Sequence, residues 1–308
     1  MSGVCSEGQK KKTTPMKKNY RGRFAPSPTG PLHKGSLVAA IASYLDAKKN
    51  NGQWLVRMED VDELRNVKGA ADSILRSLDA FGFEWDEEVL YQTDRKDAYA
   101  EALQTLKNKN LIYPCTCSRK SLKAKAATGE IQSGPLGLIY PSTCINNNFK
   151  NCQPESYAIR IKVPQQNFNF VDTLLGANTQ NLKTDSGDFI IRRRDGLFAY
   201  QLAVVVDDAF QNISHVVRGL DLLDSTPRQL FIQQCLNYPS LQYTHLPLMM
   251  SANGDKLSKQ TGANGIGIQA DIPLMVECLK FLGQQPPEEI SHSSLAEFWQ
   301  WASNNWKG

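Results

Sequence analysis

The sequence predicts an α/β protein built on a parallel sheet wound with helices. Three observations carry that prediction. Short apolar runs alternate with stretches of helical period from residue 22 onward. A turn rich in proline and glycine, residues 26–31, lies where a first strand gives way to a helix. The alternation then breaks at a stretch rich in glycine, asparagine, lysine and proline, and resumes near residue 189.

Taken in order, residues 23–25 end the first strand, and residues 36–48 are helix formers with Ser36 placed to cap them. Residues 53–59 read as a second strand closing on a carboxylate, Glu59. Helical spacing returns at Ile74, Leu75, Leu78 and Phe81, and again at Ala98, Ala102, Leu103 and Leu106, a stretch opened by Thr93 and Asp94. Between residues 115 and 184 the one strong strand is 157–163, so this region is expected to be an insertion into the sheet domain. The αβ pattern resumes with a strand at 189–193, a helix at 200–208, a strand at 215–217 and a helix at 225–236 with Pro227 near its start. Residues 271–308 read as short helices carrying Leu274, Met275, Leu279, Phe281, Leu295, Phe298 and Trp299. The expected organisation is therefore a basic disordered leader over 1–20, a first half-domain over 21–114, the insertion over 115–184, a second half-domain over 185–250 and a loop with a helical subdomain over 251–308.

Composition narrows the function class. A chain of 308 residues with 41% hydrophobic content can bury a full core. Net charge is +4, so a nucleic-acid surface would have to be a local patch. No apolar run approaches the roughly 20 residues that cross a bilayer, and the first 20 residues have lysines but no apolar signal core; a cytoplasmic monomer without a membrane partner is expected. Seven unevenly spaced cysteines fit reduced thiols and a metal site better than a disulfide framework. Lys10, Lys11, Lys12, Lys17 and Lys18 in the leader read as solvated charge, with a weak hold on RNA as the sharper alternative.

Two short motifs answer each other across the chain. The turn His33-Lys34-Gly35-Ser36 opens a helix, whose N-terminus offers unpaired N–H groups and a positive dipole end to phosphate. A histidine there can donate to a phosphoryl oxygen, and Gly35 admits an adenine ring close to the backbone. Lys256 and Lys259, in Lys256-Leu257-Ser258-Lys259 between Gly254 and Gly262, supply cations suited to charge developing on pyrophosphate. Alone, the lysine motif reads as a solvated basic loop and His33 as a packed histidine. Together, in this order on an αβ background, they resemble the HIGH and KMSKS signatures of class I aminoacyl-tRNA synthetases, which implies a Rossmann-like sheet, ATP with Mg2+, and catalytic roles for His33 and Lys259. Nucleotidylyltransferases share a turn similar to the first motif.

The run Arg23-Phe24-Ala25-Pro26-Ser27-Pro28-Thr29-Gly30 closely resembles the start of glutamyl- and glutaminyl-tRNA synthetases. Glu59 in Arg57-Met58-Glu59-Asp60-Val61-Asp62, Tyr200 before Gln201-Leu202-Ala203-Val204-Val205-Val206-Asp207-Asp208, and Arg218 in His215-Val216-Val217-Arg218-Gly219 match the same family. L-glutamate carries two carboxylates and one ammonium, so a selective pocket needs guanidinium forks and one carboxylate. Arg23 and Arg218 supply the forks, Glu59 the carboxylate, Tyr200 a hydroxyl and Ser27 a short polar contact; Phe24, Ala25 and Pro26 complete the expected glutamate site.

Only 49 residues follow Lys259, fewer than the anticodon-reading domains of a full glutamyl-tRNA synthetase require. The chain resembles instead the short glutamyl-queuosine paralogues of that family. The resemblance implies activation of glutamate without tRNA and transfer to the queuosine base of the tRNA(Asp) anticodon. Lys34 stands where those paralogues carry an aromatic residue. Rival expectations are a truncated glutamyl-tRNA synthetase that charges a 3′ end and a catalytically dead RNA-binding module.

Cys115 and Cys117, with Cys144 later in the insertion, offer three thiolates, and tetrahedral zinc needs a fourth ligand. The same resemblance, Cys-x-Cys followed by Tyr-x-x-x-Cys, implies a structural Zn2+ closed by Tyr140. Cys152 is the alternative fourth ligand.

Overall fold

A computed structural model describes residues 20–153, 156–249 and 265–308. The chain opens with β1 (Arg21–Phe24), α1 (Lys34–Lys49), β2 (Gln53–Met58), α2 (Ala70–Ala80), β3 (Leu90–Tyr91), α3 (Lys96–Asn108), β4 (Ile112–Cys115) and α4 (Arg119–Ala127). It continues with β5 (Ser133–Gly134), β6 (Gly137–Leu138), β7 (Ala158–Ile161), β8 (Asn167–Asp172), β9 (Gly176–Asn181), α5 (Leu182–Asp185), β10 (Phe189–Arg192), α6 (Tyr200–Phe210) and β11 (His215–Gly219). Last come α7 (Thr226–Leu236), β12 (Gln242–Leu246), α8 (Ile272–Phe281) and α9 (Leu295–Asn305).

Strands β1, β2 and β3 pair in parallel, as do β11 and β12. The two groups meet where the Ser214 N–H donates to the Arg21 carbonyl at 2.9 Å, which sets β11 beside β1. The order β3, β2, β1, β11, β12 reverses direction of growth at β1. In an open α/β sheet such a switch point leaves a crevice at the carboxyl ends of the strands.

Helix α1 is apolar almost all round because it is buried on both sides: Leu37, Ile41 and Leu45 are fully covered. It lies between the sheet and the terminal helices α8 and α9. Tyr44, Trp54, Phe83 and Trp299 form an aromatic knot here, with the Tyr44 and Trp299 ring centroids 4.8 Å apart in an edge-on contact. Trp301 and Trp306 pack against the same core. The aromatics of the last segment thus close the fold. On the opposite face, α3, α6 and α7 bury Tyr99, Leu106, Leu202, Val204 and Ile232 in a second core.

Several expectations change. Helix α1 starts at Lys34, two residues early, and its cap is His33, not Ser36; the His33 Nδ1 accepts the Ser36 N–H at 3.2 Å. Strand β10 does not join the parallel sheet. It pairs antiparallel with β7, which also pairs antiparallel with β4, in a separate three-stranded sheet. The asparagine-rich stretch read as irregular contains the hairpin β8–β9, and β8 extends the main sheet through the Tyr243–Asp172 pairing. Asparagine is depleted in strands, so propensity hid a hairpin that Phe168, 3% exposed, anchors by burial.

Candidate active site

The carboxyl ends of β1, β2, β11 and β12 and the N-terminus of α1 enclose a cavity of about 530 Å3. It is lined by Arg23, Phe24, Ala25, Pro26 and Ser27 from the segment after β1, by His33 and Gly35 at the start of α1, by Glu59 after β2, and by Tyr200 and Arg218. All the residues proposed from sequence for glutamate therefore face one space, with His33 and Gly35 beside them. The prolines keep residues 26–31 out of regular structure, and two carbonyls there bind the next segment: Pro26 accepts the Glu59 N–H and Pro28 the Val67 N–H, each at 2.9 Å.

His33 is held from both ring nitrogens by Ser36, through its N–H at 3.2 Å and its hydroxyl at 3.1 Å. Lys34, one residue on, turns away from the cavity and pairs with Glu277 on α8. Lys256 and Lys259, with Gly254 and Gly262, lie outside the described residues. The described chain on either side of them does reach the site: Met249 lines the cavity, and Gly265 pairs with His33 while Ile266 N–H donates to the Leu32 carbonyl at 2.7 Å.

Beneath the cavity lies a buried charge cluster that sequence reasoning missed. Asp208 on α6 takes Arg23 Nε at 3.1 Å and Arg57 Nη2 at 2.8 Å through one oxygen. Arg57 also approaches Glu59 at 3.4 Å and donates to Gln211 at 2.9 Å. Burial opposes the charge on Asp208, but the Arg23 and Arg57 guanidiniums outweigh it and hold the carboxyl below its usual range. Burial raises Glu59 above its usual range against the pull of Arg57 and Arg23. Burial, then the neighbouring Glu59 charge, raises the Tyr200 hydroxyl. A cation inside the apolar strand β2 and two acids ending the apolar helix α6 were the readable signals. Arg65 and Asp221, also on the cavity wall, carried none.

Arg218 is 4% exposed. Its Nε donates to His245 Nε2 at 3.0 Å, Nη1 to Gln229 at 2.8 Å and Nη2 to Thr226 at 2.7 Å, with the Tyr200 hydroxyl 3.5 Å from Nη1. Three of its five N–H groups are thereby committed to the frame and a fourth reaches the Tyr200 hydroxyl, leaving one Nη2 hydrogen for a ligand.

A second centre lies in the insertion. The sulfurs of Cys115, Cys117 and Cys144 all lie within 4.8 Å of one another and can hold a metal ion. The Tyr140 hydroxyl is 3.2 Å from Cys115 Sγ and 3.6 Å from Cys117 Sγ, and it accepts the Cys144 N–H at 3.2 Å. Burial works against a thiolate at Cys144, yet the hydrogen bonds from Tyr140, the Thr116 backbone and Cys117 prevail and bring it down to about 7. Burial pushes the Tyr140 hydroxyl up, with Cys115 adding to it. Gly187 fixes Tyr140 from behind: it has φ +66°, and a Cβ there would sit 2.3 Å from the Tyr140 carbonyl. Arg160 stacks on the Tyr140 ring at 3.6 Å. Cys152 instead packs against the second core with Phe149.

The model for the catalytic domain of class I tRNA synthetases (E and Q) matches residues 19–270. The chain belongs to the class I glutamyl- and glutaminyl-tRNA synthetase family. A glutamyl-Q tRNA(Asp) synthetase from Dechloromonas aromatica (strain RCB) is 54% identical, over 94% of this chain and 95% of that protein. Another, from Ectopseudomonas mendocina (strain ymp), is 48% identical over 94% of each. Among solved structures, a glutamate-tRNA synthetase from Elizabethkingia anophelis superposes with a TM-score of 0.68 at 27% identity, covering 80% of this chain. The chain spans about half the length of that synthetase, 53%. Family membership accounts for the parallel sheet, its switch-point cavity and the His33 turn at one stroke. No helix among the described residues is long and apolar enough to cross a membrane.

Proposed function

We propose that this family member activates L-glutamate with ATP and transfers it to the queuosine base in the anticodon of tRNA(Asp). The observation that carries the reading is the convergence of Arg23, Glu59, Tyr200 and Arg218 in one cavity beside His33 at the start of α1. The relatives named glutamyl-Q tRNA(Asp) synthetase, similar over nearly their whole length, favour this reading over 3′-end charging.

In this mechanism the two guanidiniums take the carboxylates of glutamate and Glu59 takes its ammonium, with Tyr200 and Ser27 adding polar contacts. A carboxylate oxygen of glutamate attacks the α-phosphorus of ATP, the bond to the bridging oxygen breaks, and pyrophosphate leaves. ATP enters with Mg2+ as the counter-ion of its phosphates. The free N–H groups at the N-terminus of α1 and the His33 ring stabilise the phosphates; Lys256 and Lys259 are assigned to the leaving pyrophosphate. A hydroxyl of the queuosine cyclopentenediol then attacks the acyl carbon, losing its proton as AMP departs. No protein nucleophile is used, so positioning and charge stabilisation carry both steps.

Zn2+ would be held by Cys115, Cys117, Cys144 and Tyr140, an S3O donor set that suits it, and would supply a structural cross-link in the insertion. The test of the function is pyrophosphate exchange with glutamate in the absence of tRNA, followed by transfer to tRNA(Asp) with and without queuosine. Exchange without tRNA and transfer confined to the queuosine-containing tRNA are expected. Charging of tRNA(Glu) at its 3′ adenosine would refute the reading, and no exchange with any amino acid would leave an inactive RNA-binding module.

A further inference from the structure

Behind Arg218 lies a buried relay that the mechanism above does not use. His245, in β12, is 1% exposed and accepts the Arg218 Nε–H at Nε2. Its other nitrogen, Nδ1, lies 2.7 Å from Asp172 Oδ2, at the end of β8. An acceptor at Nε2 requires the proton of the neutral ring to sit on Nδ1, where it donates to Asp172. Asp172, also 1% exposed, is fully occupied: Oδ2 additionally takes the His245 N–H at 3.0 Å, and Oδ1 takes the N–H groups of Leu174 and Leu175, each at 3.0 Å.

We propose that Asp172 and His245 are positioning residues for the substrate-binding fork of Arg218. Asp172 selects the Nδ1–H tautomer; the Nε2 lone pair then fixes the guanidinium by its Nε–H, so that the one Nη2 hydrogen left uncommitted by Gln229, Tyr200 and Thr226 is held in a fixed direction for the ligand. This role rests on the reading of the cavity as a glutamate site. A ring of the opposite tautomer would set N–H against N–H and rotate the fork.

The other groups around the ring agree with a neutral histidine. Thr226 Oγ1 is 3.2 Å from Nε2, the Tyr243 ring stacks at 6.2 Å, and the Asp221 charge also acts on the ring. Burial and the Arg218 charge keep the His245 pKa below the ordinary histidine value, with Asp172 and Asp221 pulling the other way. A lysine at position 218 could not reproduce the Nε contact, since its ammonium has no second anchoring donor fixed in a plane.

Two measurements test the role. With four histidines in the chain, 15N spectra of the labelled protein resolve His245, and the neutral Nδ1–H tautomer is expected; an Nε2–H tautomer overturns the proposal. In pyrophosphate exchange without tRNA, H245L should raise the KM for glutamate about tenfold or more, with the KM for ATP and kcat nearly unchanged, since one hydrogen bond to a charged group is lost. H245Q, whose carbonyl oxygen can still accept from Arg218, should recover most of that loss. An unchanged glutamate KM in H245L, or equal defects in H245L and H245Q, would show that the ring only fills space. If melting shows H245L unfolded, the wild-type tautomer and the H245Q kinetics decide. Absence of glutamate-dependent exchange in the unaltered protein would overturn the glutamate reading and this role with it, whereas an active wild type with an indifferent H245L overturns only the positioning.

Discussion

Asp208→Asn is the sharpest single perturbation of the buried cluster. Asparagine has nearly the shape of aspartate, so the change removes a charge without opening a cavity. Asp208 stands between Arg23 and Arg57 at 3.1 and 2.8 Å, with side-chain exposures of 6%, 4% and 0%. The four groups Arg23, Arg57, Glu59 and Asp208 sum to zero charge; the variant leaves a net positive charge in a nearly dry space. Breaking such a pair from one side costs about 3–5 kcal/mol, because the remaining charge stays buried without its partner. At about 2–4 °C per kcal/mol for a chain of this order, the melting temperature should fall by about 6–20 °C. Thermal unfolding by circular dichroism reads this directly, with the exposed Asp79→Asn as a control expected within about 0.5 kcal/mol of the parent. Because the folded pKa of Asp208 is depressed, its contribution is present above the unfolded carboxylate value and is lost as pH falls through the folded one, so the parent and variant should converge in strong acid. A melting temperature within about 2 °C of the parent at neutral pH would refute the claim that this carboxylate neutralises the floor of the site.

Further outcomes are expected elsewhere. Cys144→Ala should lower the zinc content measured by atomic absorption from one equivalent to near zero, whereas Cys152→Ala should leave it unchanged. Lys34→Ala should change exchange kinetics less than about threefold and stability by no more than about 1 kcal/mol, since its pair with Glu277 is largely solvated and off the cavity; a large loss of kcat would refute that placement and give Lys34 a catalytic role. Folding stability should decline as pH falls below about 6.5, because the unfolded chain takes up protons that buried His245 and half-buried His215, both neutral, refuse in the folded state. H245Q should flatten that decline by up to about 1.4 kcal/mol per pH unit, as titration melts would show.

Much of the site was legible before the fold. The run from Arg23 to Ser27, with Glu59, Tyr200 and Arg218, carries residue types that a substrate with two carboxylates and an ammonium demands, and the structure draws them to one cavity. Trp299 was readable as core because it sits at helical spacing with Leu295 and Phe298, and it packs there. The hairpin β8–β9 was not legible, since its asparagines argue against a strand and its partner Tyr243 lies 71 residues from Asp172. Nor could spacing show that β10 leaves the parallel sheet for β7, because strand direction depends on the partner and not on the strand's own residues.

By itself, then, the chain determined the chemistry it can offer and the order of its elements: apolar periodicity sets helix and strand, prolines set the turn, and charge type limits the ligand. Only the tertiary structure decided that Arg57 and Asp208 lie beneath the cavity lined by Glu59, Tyr200 and Arg218, that Tyr140 rather than Cys152 stands at the cysteines, that Lys34 faces away, and that Asp172 reaches Arg218 through His245. The reason is physical. Local pattern reflects interactions a few residues apart, whereas a buried charge is tolerated only where distant segments converge to satisfy it.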